Sequence, residues 1–524
     1  MTDLIYSLRE DYWEDFYVQK ADIEFLYNLL LETETPMTTG ELVKGLVSER
    51  IRIEKLTLEQ NRTSQGDIYK PNGIYNTQHN LVFPAMAWKP ASVLRVREGQ
   101  NPDIGEFQVI QVQFEDGQVK EYAANLPVHI LNQPPKILAD TVTLDVDSVL
   151  NDHGESLGEA LDEELSTSPD FVRIAGNWFP RALLIGINMG HLNLVEAVLD
   201  MAGGGPLPTR DLIEQIGLTS DVNQSLLEFS LDWALQDDPR FDEVGSAGKV
   251  LWFLHRLEPR EVLEPPFYLR YAGIEYDRTR LTKEMLNLER ELDDELSPLQ
   301  GRGQGDAVDV RLIFPHWRSG TLPLSSHVRH LFPTAYEAPR IRFTLVDGES
   351  GDRFPAWVVR EKRYVYGLRE WYQARNLIPG SIVRVQRGKQ PGEVVLKTDN
   401  RRASREWMRT VLVGSDGGVV FAMLKQSVAC PFDDRWAIAI PDVETLDQVW
   451  TGKEHQSLEK MLVSMTRELA KLNPQGHVHA AELYTAVNVV RRVPPAPILA
   501  LLATIPDMVH VGDLHFRLAD NDFS

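Results

Sequence analysis

The sequence predicts a multidomain α+β protein: helix-rich units with β-wings, a small SH3-like β-barrel and a basic β-rich domain. Three observations predict it. At 524 residues the chain is long enough for several domains of about 150 residues each. Apolar residues at helical spacing alternate along the chain with runs of period two, so helices and antiparallel strands share it. Charge is also segregated: residues 311–410 hold 19 Lys and Arg against 9 Asp and Glu, whereas the whole chain carries −23.

Composition narrows the class. A hydrophobic content of 43% supports buried cores and argues against general disorder. The single cysteine, Cys430, excludes an intramolecular disulfide and a cysteine-based zinc site, and fits a reducing, cytoplasmic setting. The acidic, amphipathic N-terminus lacks the basic region and apolar run of a signal peptide. No run approaches 18 apolar residues, so no membrane span is expected.

The elements follow in order. Ile23, Leu26, Tyr27, Leu30 and Leu31 share one helix face, and Thr38 or Thr39 caps a second helix from Glu41, so residues 20–86 read as a winged-helix-like unit. In residues 87–133, alternating strands at 92–97, 107–114 and 119–122, with turns at 101–105 and 115–118, predict an SH3-like barrel. Residues 137–172 contain ten acids and no Lys or Arg, and read as a solvated acidic connector. Residues 173–258 read as a second winged helix, with Thr209 capping a helix and a hairpin at 238–254. Leu281, Met285, Leu288 and Leu292 give residues 278–296 an amphipathic helix, docked on its own chain. A glycine-rich linker at 300–306 opens onto the basic β-barrel-like segment, 311–410. Residues 455–520 repeat the helical plan and end in a hairpin.

The units at 173–258 and 455–520 share helix, Gly/Pro turn, capped helix, third helix and hairpin. This plan resembles the HARE-type winged helix-turn-helix, which implies a transcription or DNA-modification context in which the winged helix often binds protein. The basic segment, with Leu322-Pro-Leu-Ser-Ser-His-Val-Arg-His-Leu-Phe-Pro before its strands, is similar to the DNA-binding pseudobarrel of plant auxin-response factors and some restriction-enzyme effector domains.

No P-loop, HExxH or nucleophile elbow is present, so no catalytic activity, cofactor or metal is expected. His316, His327 and His330 have no Cys and no evident carboxylate ligand close in sequence, and are read as phosphate contacts or packing. A basic segment in an acidic chain points to a nucleic-acid partner, DNA or RNA. The residues expected to contact it are Arg318, His327, Arg329, Arg340, Arg342, Arg363, Tyr364, Arg369, Arg384, Arg387 and Lys389. The helices around Asp211 and Glu228 are acidic, which suits protein recruitment better than DNA reading. The expectation is therefore a DNA-binding, transcription-related adaptor. The alternative is a protein-binding scaffold of a multi-component bacterial system, whose basic segment docks an acidic partner.

Overall fold

The computed structural model describes residues 12–519 except 65, 84–85, 87–88, 102–104, 115–116, 130–131, 133–144, 220–222, 299–300, 302, 391, 400, 416 and 453–456, and the side chains of 54–64. Parts of the turns at 101–105 and 115–118, of the acidic connector and of the linker at 300–306 therefore lie outside the described residues. The chain forms two units, Met1–Arg173 with Asn177–Leu184, and Ile174–Gly176 with Ile185–Ser524. Both mix helices and sheets, so the α+β class holds.

The first unit opens with α1 (Lys20–Thr33), β1 (Met37–Thr38) and α2 (Thr39–Ser64). Buried Asp22 accepts from the guanidinium of Arg50, which ties α1 to α2. Five strands follow: β2 (Asp67–Ile68), β3 (Asn80–Phe83), β4 (Lys89–Glu98), β5 (Gln108–Phe114) and β6 (Val119–Ala124). They hydrogen-bond in chain order. Tyr69, Tyr75, Phe83 and Phe114 share the sheet's core, and the Tyr69 hydroxyl donates to Ala123 O at 2.6 Å, which ties the segment after β2 to β6. This sheet begins at Asp67, earlier than the expected boundary at 87, because strands β2 and β3 pair with it.

The acidic connector is corrected by the next element. Residues 146–167 form α3 (Val146–Thr167), capped by Asp145 and with Leu157, Leu161 and Leu165 buried. Acidic content carries no information about phase, and phase decides here. The three leucines recur every four residues and make one apolar stripe, which packs on α2. Cations from elsewhere in the unit offset the acids: Arg173 lies 3.4 Å from Asp162 and Lys44 3.8 Å from Asp147. The hairpin β7 (Phe171–Ile174) and β8 (Asn177–Pro180) follows, and β1 pairs with β8. Trp178 thus belongs to the first helical unit and not, as expected, to the second. The expected unit at 20–86 is likewise corrected: its third helix and hairpin lie beyond an inserted sheet.

In the second unit, α4 (Met189–Met201), β9 (Leu207–Pro208), α5 (Thr209–Ile216), α6 (Gln224–Gln236), β10 (Phe241–Glu243) and β11 (Leu251–Leu254) repeat that order. The short strand again pairs with the last strand of the hairpin. After α7 (Arg260–Leu263), α8 (Lys283–Leu292) buries Met285, Leu288 and Leu292. A seven-stranded sheet then forms from β12 (Ala307–Arg311), β13 (Thr321–Pro323), β14 (Arg340–Asp347), β15 (Arg353–Val359), β16 (Tyr364–Tyr366), β17 (Ile382–Arg387) and β18 (Glu393–Lys397). Its order is β12-β17-β18-β14-β15-β16-β13, and only the β14–β18 pair is parallel. The short helix α9 (Phe314–Ser319) connects the two edge strands, and α10 (Arg369–Ala374) joins β16 to β17. The sheet thus spans 307–397. Residues 404–410 belong to a separate ribbon, β19 (Ser404–Val413) with β20 (Val419–Val428).

The chain closes with α11 (Val443–Gly452), α12 (Leu458–Ala470), β21 (Val478–His479), α13 (Ala480–Val490), α14 (Pro495–Leu502), β22 (Met508–Gly512) and β23 (His515–Leu518). Here β21 pairs with β23, a third copy of the same connectivity.

The first two copies share an interior device. Thr39 Oγ1 donates to Asp162 Oδ1 at 2.5 Å, and Trp178 Nε1 donates to the same oxygen at 3.0 Å. In the second copy Thr209 and Trp252 both donate to Asp232 Oδ1, the indole at 2.8 Å. Each set joins the start of the second helix, the third helix and the last strand. In the third copy the equivalent pairing positions carry Ala480 and Phe516, both buried. Exchanging a whole satisfied polar set for apolar groups is close to neutral, whereas losing one member is not.

Candidate nucleic-acid interface

Strand alternation fixes where the basic side chains of the sheet point. On β14 the odd positions Ile341, Phe343 and Leu345 enter the core, so Arg340 and Arg342 lie on the opposite face. That face is covered. The Arg340 guanidinium sits against Asp242 and, at 3.0 Å, the buried carboxylate of Glu258. Burial and neighbouring Asp242 push Glu258 up to about 9, against the pull of Arg340. Arg342 lies over the Phe253 ring at 5.0 Å and the Trp357 ring at 5.6 Å, and burial lowers its pKa. Tyr364 is buried and donates to Glu261 O at 2.7 Å, with its phenol pushed up by burial.

These three positions are corrected: their side chains are engaged by the segment from β10 to α7, through Asp242, Phe253, Glu258 and Glu261. Arg318 is occupied as well, with Nη2 at 2.7 Å from Asp447 Oδ2. Arg384 forms an exposed, two-pronged pair with Asp309 at 2.7 and 2.9 Å, a surface contact of little strength. His327 Nδ1 lies 3.3 Å from Asp293 Oδ2. His316 is fully buried, 3.1 Å from Glu295. Both histidines therefore do meet carboxylates, from residues distant in sequence. Arg369 and Lys389 are exposed at separate places, and Arg369 donates to Arg318 O at 3.4 Å.

The remaining three, Arg329, Arg363 and Arg387, converge. They line one open cavity of about 1200 Å³, together with Arg360 and His330. Each guanidinium is oriented by a neutral backbone carbonyl: Arg329 by Gly301 O at 2.6 Å, Arg360 by Ala338 O at 2.8 Å, Arg363 by Glu295 O at 3.1 Å, and Arg387 by His330 O at 2.9 Å. Among the described residues none of the four forms a salt bridge with a carboxylate. Arg360 and Arg363 flank the tight turn between β15 and β16, where Arg363 adopts a left-handed φ of 57°. Arg360 was missed as a site residue. Its signal was its place three positions before Arg363, at the other end of a hairpin turn.

Two carboxylates, Asp294 and Glu295, also line this cavity, and both are paired with Arg492. Arg492 Nη2 lies 2.7 Å from both Asp294 Oδ1 and Glu295 Oε1. Tyr484 donates to Asp294 at 2.5 Å. All of this is buried. Burial works to raise the Glu295 carboxyl, and Arg492 with His316 overcomes it, holding the group below its ordinary range. Asp294 is raised, with burial outweighing Arg492.

No protein-family model, curated protein or solved structure matches this chain. Among the described residues no helix is long and apolar enough to cross a membrane.

Proposed function

We propose that this chain is a non-catalytic nucleic-acid-binding adaptor of transcription or another DNA transaction. In this reading the three copies of helix, short strand, two helices and hairpin are winged helices that recruit protein. The five-stranded sheet is an SH3-like barrel, and the seven-stranded sheet with its two short helices is pseudobarrel-like and carries the nucleic-acid contacts. The observation that carries the reading is the convergence of Arg329, Arg360, Arg363 and Arg387 on one open cavity, with no carboxylate partner for them among the described residues. Uncompensated guanidinium forks suit phosphate oxygens.

The test is affinity of the whole protein for labelled duplex and single-stranded DNA and RNA across a salt series. Binding is expected at 50 mM salt and weakens steeply with more. Reversing Arg360 and Arg387 to Glu removes two contacts and flattens the slope of log K against log[salt] by about 1.8 on duplex or 1.4 on single strands. No affinity for any nucleic acid at 50 mM salt overturns the reading. The scaffold alternative then takes over. It is favoured by one observation, that the expected contacts Arg318, Arg340 and Arg384 are already paired with carboxylates of the chain itself.

A further inference from the structure

We infer that the arginine-lined cavity receives the terminal phosphate of a nucleotide, either the end of a strand or a free nucleotide. The inference rests on the nucleic-acid reading and narrows it from backbone contact to end recognition.

Shape is the first argument. The four arginines surround a concavity, whereas the phosphates of a duplex lie along a convex ridge that would meet only its rim. At about 1200 Å³ the space exceeds the usual 300–1,000 Å³ of a small-molecule pocket, so a whole end nucleotide fits with its phosphate inside.

Charge is the second. An internal phosphodiester carries one negative charge. A terminal phosphomonoester carries about −1.5 to −2 and offers three oxygens, enough for more than one guanidinium fork. Four cations around one cavity exceed what a diester neutralises. Each uses a single donor on a backbone carbonyl, leaving further N–H groups of its five for a ligand.

Unmet hydrogen bonding is the third and independent argument. Ser297 lines the cavity at 4% exposure, and its Oγ is buried with no hydrogen-bond partner among the described residues. His330 Nδ1 is buried and unpartnered too, while Nε2 is fixed on Gly305 O at 2.7 Å. Buried polar groups in folded proteins are nearly always paired, so the wall of this cavity holds hydrogen-bonding capacity that the described residues leave unused. The carboxylates beside them do not compete, because Arg492 holds both.

The experiment uses the full chain and a 3′-labelled single-stranded oligonucleotide bearing either a 5′-phosphate or a 5′-hydroxyl, read by fluorescence anisotropy. A second arm uses AMP, ATP and inorganic phosphate as competitors. The phosphorylated strand is expected to bind at least tenfold more tightly. Arg360→Gln and Ser297→Ala, each checked for an unchanged melting curve, are expected to bring it down towards the hydroxyl strand. Competition by AMP identifies the terminal phosphate on a free nucleotide as an equal source, and competition only by the phosphorylated strand assigns it to strand ends. Equal affinity for the two oligonucleotides, without competition by nucleotides, overturns this inference and leaves the nucleic-acid reading standing. Binding of AMP or ATP without binding of any oligonucleotide supports the inference and removes the nucleic-acid reading. Binding of neither class overturns both.

Discussion

Replacing Arg492 with Met should be among the most damaging single changes in the second unit. The guanidinium is fully buried and is the shared partner of Asp294 and Glu295, which are also buried. Without it, Asp294 keeps two neutral donors, the Tyr484 hydroxyl at 2.5 Å and the Leu296 N–H at 2.9 Å, and Glu295 keeps His316 at 3.1 Å. At least one carboxylate must then be protonated. From an ordinary value of 4.5, protonating a glutamate at pH 7 costs about 3 kcal/mol, at about 1.4 kcal/mol per pH unit. That agrees with the loss of about 3–5 kcal/mol found when one partner of a buried pair is removed.

The pH dependence gives the mechanism its own signature. Glu295 in the native protein is held below its ordinary range, so the stability it contributes is present above pH 4.5 and is lost on acidification. In Arg492→Met the carboxylates are raised, so acidification relieves them. At pH 5 the protonation cost falls below about 1 kcal/mol. The gap between variant and wild type, measured by urea unfolding with tryptophan fluorescence, should therefore narrow from pH 7 to pH 5. Combining Arg492→Met with Asp294→Asn and Glu295→Gln should recover most of the loss, since no charge is left stranded. A loss under about 1 kcal/mol at pH 7, or a gap that does not change with pH, would refute this account.

Asp232 offers a test in the opposite sense. Burial lifts its carboxyl from 3.8 to about 7, so its cost to folding grows as pH rises between those values. Asp232→Asn should raise the melting temperature at pH 8 relative to wild type and change little at pH 4, because Asn Oδ1 still accepts from Thr209 and Trp252; equal shifts at both pH values would count against it. Leu161→Ala, at a fully buried position on α3, should cost about 2–5 kcal/mol in urea unfolding, while a cost near zero would restore the solvated-connector view. Arg340→Met should destabilise the protein by removing the cation that pairs Asp242, yet leave nucleic-acid affinity of the folded protein unaltered; weakened binding would put Arg340 back in the interface.

Local pattern was legible and long-range pairing was not. The strands of the basic segment and the helix carrying Met285, Leu288 and Leu292 follow from periodicity alone. Arg329, Arg363 and Arg387 stand out by charge, and nothing local says that they line one cavity. Charge counting could not separate them from Arg318, Arg340 and Arg384, whose carboxylate partners lie 129, 98 and 75 residues away. The insertion of a whole sheet between α2 and α3 was hidden for the same reason: each helix is amphipathic by itself, and nothing local says that they share a core. The stripe of Leu157, Leu161 and Leu165 is legible by its spacing of four, but the acids between them mask it in the composition.

The ribbon β19–β20 has one further consequence. Met408 and Val428 enter the core of the seven-stranded sheet, while Val411, Val419 and Phe421 enter the core of the C-terminal helices. A single hairpin is thus interior to two neighbours at once. A fragment ending at residue 410 would sever β19 from β20 and open both interiors, so the sheet cannot be studied or transplanted by itself. In the history of such a chain, the sheet and the helices behind it would have to be inherited together, and shuffling of modules would be confined to the boundaries where no element is owned twice.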